Sequence, residues 1–231
     1  PQERILSGTA EQLAEQRFDP LAVMLIEHPV APARDYPPLG LDDSEFLRAA
    51  TEKPVPMTKQ EIRILSLVKA RIKPDAVIYD IGAGTGSLSV EAARLAPQGR
   101  VFALEREPEG IRLIRANAAN FALANVAAIE TEAPAGIADL PEADTVLIGG
   151  SGSKLPAILD AVTLKLRTGG RIVLNCITVQ TLMQCIEYMR SHSETYVYEA
   201  IQVQVSRLQQ VGPYDMAKAV NPIYIVTCTK K

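Results

Sequence analysis

The stretch Asp80-Ile81-Gly82-Ala83-Gly84-Thr85-Gly86 constrains the fold of this chain more than any other. It follows an apolar run, Ala76 to Tyr79, that predicts a short buried strand, and it precedes Ser87 to Leu95, whose apolar residues recur at helical spacing. The three glycines allow a sharp turn and a close approach to a ligand, because no Cβ is in the way. Free amides at the start of the helix then face that ligand. The sequence therefore predicts a strand, a tight turn and a helix that together bind a small molecule.

An acidic residue at the tip of the second predicted strand supports a nucleotide-like ligand. Arg100 to Leu104 alternates in hydrophobicity and is followed by Glu105, whose carboxylate can accept hydrogen bonds from both hydroxyls of a ribose. The glycine spacing is G-x-G-x-G after Asp80, and it differs from the G-x-G-x-x-G of dinucleotide enzymes. This pattern resembles motif I of the class I S-adenosylmethionine (SAM) methyltransferases. The resemblance implies SAM as cofactor and S-adenosylhomocysteine as its product.

Predicted strands and helices alternate along the rest of the chain. After Glu105, helices are predicted over Pro108–Asn120, Leu155–Leu166 and Val179–Ser191, and strands over Val126–Glu130, Asp144–Ile148, Arg171–Cys176, Glu194–Leu208 and Ile223–Thr229. The last two strands are expected to form an antiparallel pair at one edge. The pattern predicts an α/β fold of the class I methyltransferase type: a Rossmann-like, doubly wound, mostly parallel seven-stranded sheet with an antiparallel edge. Ligands are expected beyond the carboxyl ends of the strands.

The amino-terminal part of the chain lacks this regular alternation. Residues 1–27 contain one short predicted helix, Thr9 to Phe18, and one predicted strand, Leu21 to Ile26, which are too little for a core of their own. Prolines at four positions between His28 and Asp43 predict a linker over residues 28–41. We therefore expect the tail of a preceding domain, then a linker, and then a methyltransferase domain over residues 42–231.

Two helices are predicted between the linker and the first strand. The shorter one covers Asp42 to Ala50. The longer one starts at Thr58-Lys59-Gln60-Glu61, which has the form of a capping box with Thr58 at the N-cap and Glu61 three residues later. Apolar residues come next at helical spacing, and this helix is expected to pack on the sheet.

Charge and composition argue against several classes of function. The net charge is −3 and there is no tryptophan, which disfavours a nucleic-acid surface with a basic face and an aromatic platform. No apolar run approaches the roughly 18 residues of a membrane helix, and no signal peptide is visible. Three cysteines without C-x-x-C spacing and two distant histidines predict reduced thiols in the cytoplasm and no metal site.

Further motifs narrow the resemblance. They are P-M-T-K-Q-E-I-R (Pro56 to Arg63), E-A-P (Glu132 to Pro134), I-G-G-S-G (Ile148 to Gly152), the stretch Arg207 to Gly212, and Asn221-Pro222. Together with the Gly-rich turn they resemble the decarboxylating precorrin methyltransferases of cobalamin biosynthesis, the CbiT type, over residues 42–231. Residues 1–27 resemble the end of a CbiE-type tetrapyrrole methylase. The chain is therefore similar to the carboxyl-terminal part of a CobL-type fusion of the two.

The resemblance implies a reaction and partners. The reaction is SAM-dependent methylation at carbon 15 of precorrin-6B, with loss of carbon dioxide from the ring C acetate. The implied partners are a CbiE-like amino-terminal half and further copies of the chain in a homotetramer. The reduced tetrapyrrole offers an enamine-like carbon, so alignment with the methyl group can supply much of the acceleration. Because the substrate carries many carboxylates, cationic side chains are expected to line its cleft.

The resemblance also assigns candidate site residues. The expected cofactor-binding residues are Thr58, Asp80, Gly82, Ala83, Gly84, Thr85, Gly86, Glu105, Glu132 and Ala133. The expected substrate-binding residues are Gly149, Gly150, Ser151, Gly152, Lys154 and Arg207, with Lys59 as a further cation. Structural roles compete for some of them, since Thr58 also fits a plain helix cap and the lysines fit solvated surface charges. No general base is identified.

Two other functions stay open at this stage. One is a class I SAM methyltransferase that acts on RNA, protein or another small molecule, and the other is a non-catalytic module that binds SAM. Asn221-Pro222-Ile223-Tyr224 resembles the N-P-P-Y of amino-group methyltransferases. That motif belongs after the fourth strand, where this chain has Gly149 to Gly152. We therefore expect Asn221-Pro222 to be structural.

Overall fold

The computed structural model describes residues 5–18, 20, 22–24, 36–49 and 55–231. They belong to two compact units, Pro1–Asp35 and Tyr36–Lys231, and each is considered by itself. In the first unit, helix α1 spans Ala10–Ala14 and is capped by Thr9. The Thr9 hydroxyl accepts a hydrogen bond from the Gln12 N–H at 3.3 Å, while the Gln12 side chain accepts one from the Thr9 N–H at 2.9 Å.

The predicted elements of the amino-terminal unit agree with the structure only in part. Helix α1 is shorter than the predicted helix over Thr9–Phe18. Residues 22–24 of the predicted strand are not in regular secondary structure, and the rest of that strand lies outside the described residues. Residues 28–35 of the predicted linker also lie outside them. The interpretation of residues 1–41 as a tail and a linker therefore stays a prediction.

The second unit is built on a seven-stranded sheet with a separate hairpin. The strands are β1 (Val77–Ile81), β2 (Arg100–Glu105), β3 (Val126–Glu130), β4 (Ala143–Ile148), β5 (Leu166–Cys176), β6 (Tyr196–Val203), β7 (Ser206–Val211), β8 (Tyr214–Ala219) and β9 (Ile223–Lys230). The main sheet has the order β3-β2-β1-β4-β5-β9-β6, and β7 pairs with β8. Strands β1 to β5 are parallel, whereas β9 runs antiparallel between β5 and β6. The predicted mostly parallel sheet with an antiparallel edge is confirmed.

Helices cover both faces of this sheet. They are α2 (Gln60–Ala70), α3 (Ser87–Leu95), α4 (Pro108–Asn120), α5 (Leu155–Lys165) and α6 (Val179–Ser191). Side chains alternate along β1, so that Tyr79 and Ile81 join a core with α5 and α6, whereas Ile78 joins a core with α2 and α3. Within the described ranges, no helix is both long enough and apolar enough to span a membrane.

The carboxyl-terminal part differs from the prediction. The predicted strand over Glu194–Leu208 is wrong, because β6 ends at Val203 and a new strand, β7, begins at Ser206. β7 and β8 form a hairpin around Gly212-Pro213, where Gly212 has a φ of 61°. Glycine adopts this left-handed conformation without a steric penalty, and a Gly-Pro pair is a turn signal. The sequence thus contained a signal for the hairpin that the prediction missed.

Two local predictions before β1 are also wrong. Instead of a helix over Asp42–Ala50, the structure has a short 3-10 helix over Asp43–Glu45. The capping box at Thr58 does not form, because the N-cap of α2 is Lys59 and no side-chain cap bond is made there. Oδ1 of Asp43 accepts the hydrogen bond of the Gln60 N–H at 3.0 Å. A side chain distant in sequence therefore accepts the hydrogen bond of a free N–H group in the first turn of the helix.

Candidate active site

The Gly-rich turn between β1 and α3 can be built only from glycines at its key positions. Gly82, Gly84 and Gly86 have φ values of 68°, 57° and 78°, in the left-handed region. A Cβ on Gly82 would lie 2.5 Å from the Gly150 carbonyl oxygen, and one on Gly84 would collide with the carbonyl oxygen of Pro56. The turn is therefore packed between the loop after β4 and the segment before α2, with no space for side chains.

The turn is fastened to the end of β2 through Glu105. Oε2 of Glu105 accepts a hydrogen bond from the Gly84 N–H at 2.8 Å. Oε1 accepts two more, from the N–H groups of Arg106 at 2.9 Å and of Glu107 at 3.0 Å. Since a carboxylate has about four acceptor positions, one remains for a ligand. Glu105 thus lies beside the turn, as the sequence predicts. Through these hydrogen bonds it also holds the turn and the end of β2 together.

A glycine that the sequence analysis overlooked makes room for this carboxylate. Gly110, in the first turn of α4, faces the Glu105 side chain, and a Cβ there would lie 2.6 Å from Cγ of Glu105. No local pattern marks this glycine, since glycine is an ordinary though unfavourable residue within a helix. Its role depends entirely on the packing of α4 against the end of β2.

A cavity of about 230 Å³ opens at the carboxyl ends of β1, β2 and β4. Nine of the predicted site residues line it: Gly82, Gly84, Glu105, Glu132, Ala133, Gly149, Gly150, Ser151 and Gly152. The wall also includes seven residues that were not predicted: Pro56, Ile81, Leu104, Arg106, Glu107, Thr131 and Ile158. Some had a usable signal, because Arg106, Glu107 and Thr131 come directly after predicted strands, where ligands of such sheets bind.

Asp80 lies beneath the turn, away from the lining of the cavity. Its side chain is fully buried, and Oδ2 accepts a hydrogen bond from the Ser89 hydroxyl at 2.5 Å. Oδ1 has no hydrogen-bonding partner among the described residues. Burial raises the pKa of Asp80 to about 6, and the nearby Glu105 carboxylate adds to the increase. The fold therefore disfavours the ionised form of Asp80, which lies directly behind the glycines.

The other predicted residues of the turn also act from behind the cavity wall. The Ala83 N–H donates to the Leu104 carbonyl at 3.2 Å, which joins the turn to β2. The Thr85 N–H donates to the Pro56 carbonyl at 3.2 Å, and the buried Thr85 hydroxyl has no partner within the described ranges. Gly86 is the N-cap of α3. These residues shape the turn and do not line the cavity.

Thr58 is positioned by a buried arginine. The Thr58 carbonyl accepts a hydrogen bond from Nη1 of Arg63 at 2.6 Å. Arg63 is fully buried, and its Nε lies 2.5 Å from Oε1 of the equally buried Glu91 on α3. Glu91 also accepts a hydrogen bond from the Gly40 N–H at 2.7 Å. The pair thereby ties α2, α3 and the segment around residue 40 together, and this holds Thr58 near the turn.

A chain of ion pairs crosses the mouth of the cavity. Oε2 of Glu132 lies 2.6 Å from Nζ of Lys154, and its Oε1 lies 3.2 Å from Nη1 of Arg106. Hydrogen bonds from Lys154 and Arg106 lower the pKa of Glu132. All three side chains are about half exposed, so they can exchange partners at little cost. Lys154 is thus close to the cavity but is paired with Glu132.

Arg207 lies apart from this cavity. It is on the hairpin strand β7, and its Nη2 bonds both carboxylate oxygens of Glu61, at 2.7 and 2.8 Å. Lys59 lies nearby and pairs with Asp43 at 3.5 Å. Both cations line a second cavity of about 350 Å³ between α2 and the hairpin. The structure therefore divides the predicted substrate-binding residues between two places.

The strand order, the crossing point between β1 and β4 and the glycine turn beside Glu105 define a class I SAM-dependent methyltransferase fold. Comparison with known proteins specifies the family, since residues 50–230 match the precorrin methyltransferase domain. The chain belongs to this family.

Named relatives agree with this assignment. A probable cobalt-precorrin-6B C(15)-methyltransferase (decarboxylating) of Pyrobaculum calidifontis is 38% identical over 190 residues, which are 81% of this chain and 94% of that protein. The cobalt-precorrin-6B C(15)-methyltransferase (decarboxylating) of Salmonella typhimurium is 36% identical, over 83% of this chain and 96% of that protein. The crystal structure of a precorrin-6y C5,15-methyltransferase from Geobacter metallireducens has a TM-score of 0.77 and 43% identity, and the match covers 85% of this chain and all of the other.

Proposed function

We propose that this protein is a SAM-dependent methyltransferase that methylates carbon 15 of a precorrin and releases the carboxyl group of the ring C acetate as carbon dioxide. The observation that carries the proposal is the glycine-lined cavity with Glu105 in its wall, in a chain whose relatives are named for this reaction. The family match spans the whole cavity. It favours this function over action on RNA or protein and over a non-catalytic module.

The residues around the turn fit SAM. Gly82 and Gly84 let the turn pack against Gly150 and Pro56 while they line the cavity, and Glu105 keeps one acceptor position for a ribose hydroxyl. Asp80 lies behind these glycines, and its proposed part in cofactor binding is to support the turn from outside the cavity. When bound there, SAM supplies a methyl group activated by a sulfonium. The other proposed cofactor residues are Thr58, Ala83, Thr85, Gly86, Glu132 and Ala133, of which the last two line the cavity.

The chain's own part in the reaction is alignment. The loop Gly149 to Gly152 forms the edge of the cavity after β4 and leaves room for the rim of a macrocycle. Lys154 and Arg207 are proposed to bind the carboxylates of that macrocycle, which they can do by exchanging Glu132 and Glu61 for them. Holding the nucleophilic carbon in line with the methyl group supplies much of the acceleration.

The electron pair that methyl transfer consumes is returned to the substrate by the decarboxylation. Methyl transfer uses an electron pair of the enamine-like carbon and leaves the conjugated ring system electron-poor. When the carbon–carbon bond to the acetate carboxylate breaks, its electron pair enters that system and restores it. The leaving group is carbon dioxide, and no oxidant or reductant is consumed. The protein is therefore required only to bind, orient and shield the reacting groups.

We further propose that the protein works in the cytoplasm as a homotetramer, and that residues 1–27 end a CbiE-like half joined by a linker over residues 28–41. A relative with a solved structure, from Geobacter metallireducens, is named for both the C5 and the C15 reaction, which supports a two-part protein. Self-association is supported by apolar side chains that the hairpin exposes, such as Leu208 at 75%. Light scattering after size-exclusion chromatography tests the tetramer.

The decisive experiment is mass spectrometry of the tetrapyrrole after incubation with the chain and SAM. Precorrin-6B and its cobalt form are supplied in parallel, because the relatives are named for the cobalt form and the fusion favours the cobalt-free one. We expect a gain of one methyl group together with the loss of one carbon dioxide. Methyl gain alone would assign the decarboxylation elsewhere.

A negative result needs a control for the amino-terminal half. If neither macrocycle changes although the chain binds SAM, the assay is repeated in the presence of a separately produced CbiE-type protein. Continued failure would refute the assigned substrate.

A further inference from the structure

A second cavity lies on the same edge of the sheet as the cofactor cavity. Tyr224, near the start of β9, is in register with Cys176, the last residue of β5, and Val203, the last residue of β6, is in register with Ile223. Strand β9 therefore starts at the carboxyl ends of the parallel strands. The hairpin β7–β8, which joins β6 to β9, must rise from that edge. The cavity of about 350 Å³ beneath it opens beside the proposed reaction site.

The hairpin presents two cations side by side to this cavity. Arg207 on β7 and Lys218 on β8 are directly opposite each other in the hairpin register, and both line the cavity. Like charges in this position destabilise a strand pair. The Lys218 side chain has no ion-pair or hydrogen-bonding partner among the described residues. Glu61 neutralises Arg207 but not Lys218, so the cavity can accept a further anion.

The acidic residues of the cavity differ in how firmly they are bound. Asp43 is committed to the fold, because its Oδ1 accepts hydrogen bonds from the Gln60 N–H at 3.0 Å and from Arg63 at 3.1 Å. Among the described residues, Arg207 is the only ion-pair partner of Glu61, and the two side chains are partly exposed, Glu61 at 37% and Arg207 at 54%. Exposed pairs of this kind contribute little free energy. Glu61 is thus an exchangeable carboxylate in a site with a surplus of positive charge.

We propose that this cavity is a second subsite that binds a carboxylate arm of the macrocycle, with Arg207 and Lys218 as its ligands and Glu61 as the group that the substrate displaces. This inference rests on the proposed function. Apart from Asn221, the remaining walls are apolar and suit a carbon skeleton that carries acidic arms; they are formed by Ile62, Val205, Ala219, Val220 and Ile223.

The distance between the two cavities is compatible with one ligand. Pro56 lines the cofactor cavity, and Lys59, three residues further, lines the second one. Three residues of extended chain span roughly 10 Å at most. A single macrocycle can therefore hold its reacting carbon at the first cavity and an acetate or propionate in the second.

Three variants test the subsite: Lys218→Gln, Glu61→Gln and, as a matched control, Lys73→Gln. Lys73 is an exposed lysine after α2, at the opposite edge of the sheet. Binding of uroporphyrin, a macrocycle with an acetate and a propionate on every ring, is measured by fluorescence, and KM is measured with the precorrin that the wild type converts. All variants are first compared with the wild type in thermal unfolding and in SAM affinity.

The two substitutions have opposite expected effects. Lys218→Gln should raise both the uroporphyrin Kd and the KM about three- to fivefold at low salt, as expected for one partly exposed charge pair, with kcat unchanged. Glu61→Gln should lower both values, because Arg207 loses its competing partner. A purely structural ion pair predicts no such gain. Lys73→Gln should equal the wild type.

The outcomes separate the subsite from the proposed function. If the wild type converts a precorrin but Lys218→Gln and Glu61→Gln both behave like Lys73→Gln, the subsite is refuted and the function stands. If no precorrin is converted even with a separately produced CbiE-type protein, but uroporphyrin binding shows the predicted pattern, the subsite stands as a carboxylate site and the function fails.

Discussion

The backbone N–H of Gly84 donates a hydrogen bond of 2.8 Å to Oε2 of Glu105, and this contact joins the Gly-rich turn to the end of the neighbouring strand. The two residues are 21 positions apart in sequence. Glu105 therefore has two tasks, because it orients the turn through its bonded oxygens and offers its remaining acceptor position to the cavity. Loss of the carboxylate is expected to affect both.

Glu105→Gln should weaken SAM binding about 10- to 100-fold, because an amide cannot accept the same set of hydrogen bonds and loses the charge that strengthens them. Isothermal titration calorimetry with SAM measures the change. Glu142→Gln is the control, since the Glu142 side chain is 67% exposed, precedes β4 and does not line the cavity. Equal affinity in both variants would show that Glu105 does not contact the ribose.

Gly82→Ala should destabilise the fold more than Gly169→Ala. Both glycines have positive φ, 68° and 78°, so alanine is strained at each by about 1 kcal/mol or more. Only at Gly82 does the new Cβ also collide, 2.5 Å from the Gly150 oxygen, whereas at Gly169 nothing lies within 4 Å. Urea denaturation of both variants separates backbone strain from the collision. If both variants lose a similar amount of unfolding free energy, the turn around Gly82 can shift to accommodate the added Cβ.

Asp80 should make stability fall as the pH rises from about 4 to about 6. Its pKa is about 6 in the folded protein and 3.8 ordinarily, so the folded state binds more protons than the unfolded state in this window. Relative to Asp80→Asn, the wild type should lose roughly 2 kcal/mol of unfolding free energy between pH 4 and pH 7. Denaturation curves at several pH values measure this, with the exposed Asp139→Asn as control. A difference independent of pH would contradict the raised pKa.

The buried ion pair Arg63–Glu91 should be far more sensitive to substitution than an exposed one. Arg63→Met leaves Glu91 buried and unpaired, which should cost about 3–5 kcal/mol of unfolding free energy. Lys69→Met breaks the exposed pair with Glu199, which should cost less than about 1 kcal/mol. Chemical denaturation compares the two variants.

A double variant checks the cause of that loss. If Arg63→Met is destabilised because the Glu91 carboxylate is buried without an ion partner, adding Glu91→Leu should restore part of the stability. An apolar pair has no charge to desolvate. If the double variant is no more stable than the single one, the main contribution comes from the other hydrogen bonds of Arg63, to Asp43, Thr58 and Leu41.

Much of the fold could be predicted because its signals are local. The helices Ser87–Leu95, Pro108–Asn120 and Val179–Ser191 and the strands Arg100–Glu105 and Val126–Glu130 agree with the sequence patterns. Periodicity of 3.6 or 2 specifies each of them without reference to distant parts of the chain. The hairpin β7–β8 was missed because both its strands are exposed along their whole length, so no alternation of burial marks them.

The candidate site was predictable to the extent that it is built from consecutive residues. Gly82, Gly84, Glu105 and the loop Gly149 to Gly152 all line the cavity. Gly110 was missed, since its importance depends on which side chain it faces. Thr58 was assigned as a helix cap, but Asp43 satisfies the helix start in its place.

The sequence by itself determined the strand, turn and helix around Gly82 to Gly86, because φ above zero and a missing Cβ are properties of single residues. It also determined the alternation of strands and helices that leads to a parallel sheet. Only the tertiary structure decided the ionic contacts. Glu61 and Arg207 are 146 positions apart, and Arg207 faces Lys218 only because the hairpin has its particular register. Charges act through space, so their partners are specified by the fold and not by the order of residues along the chain.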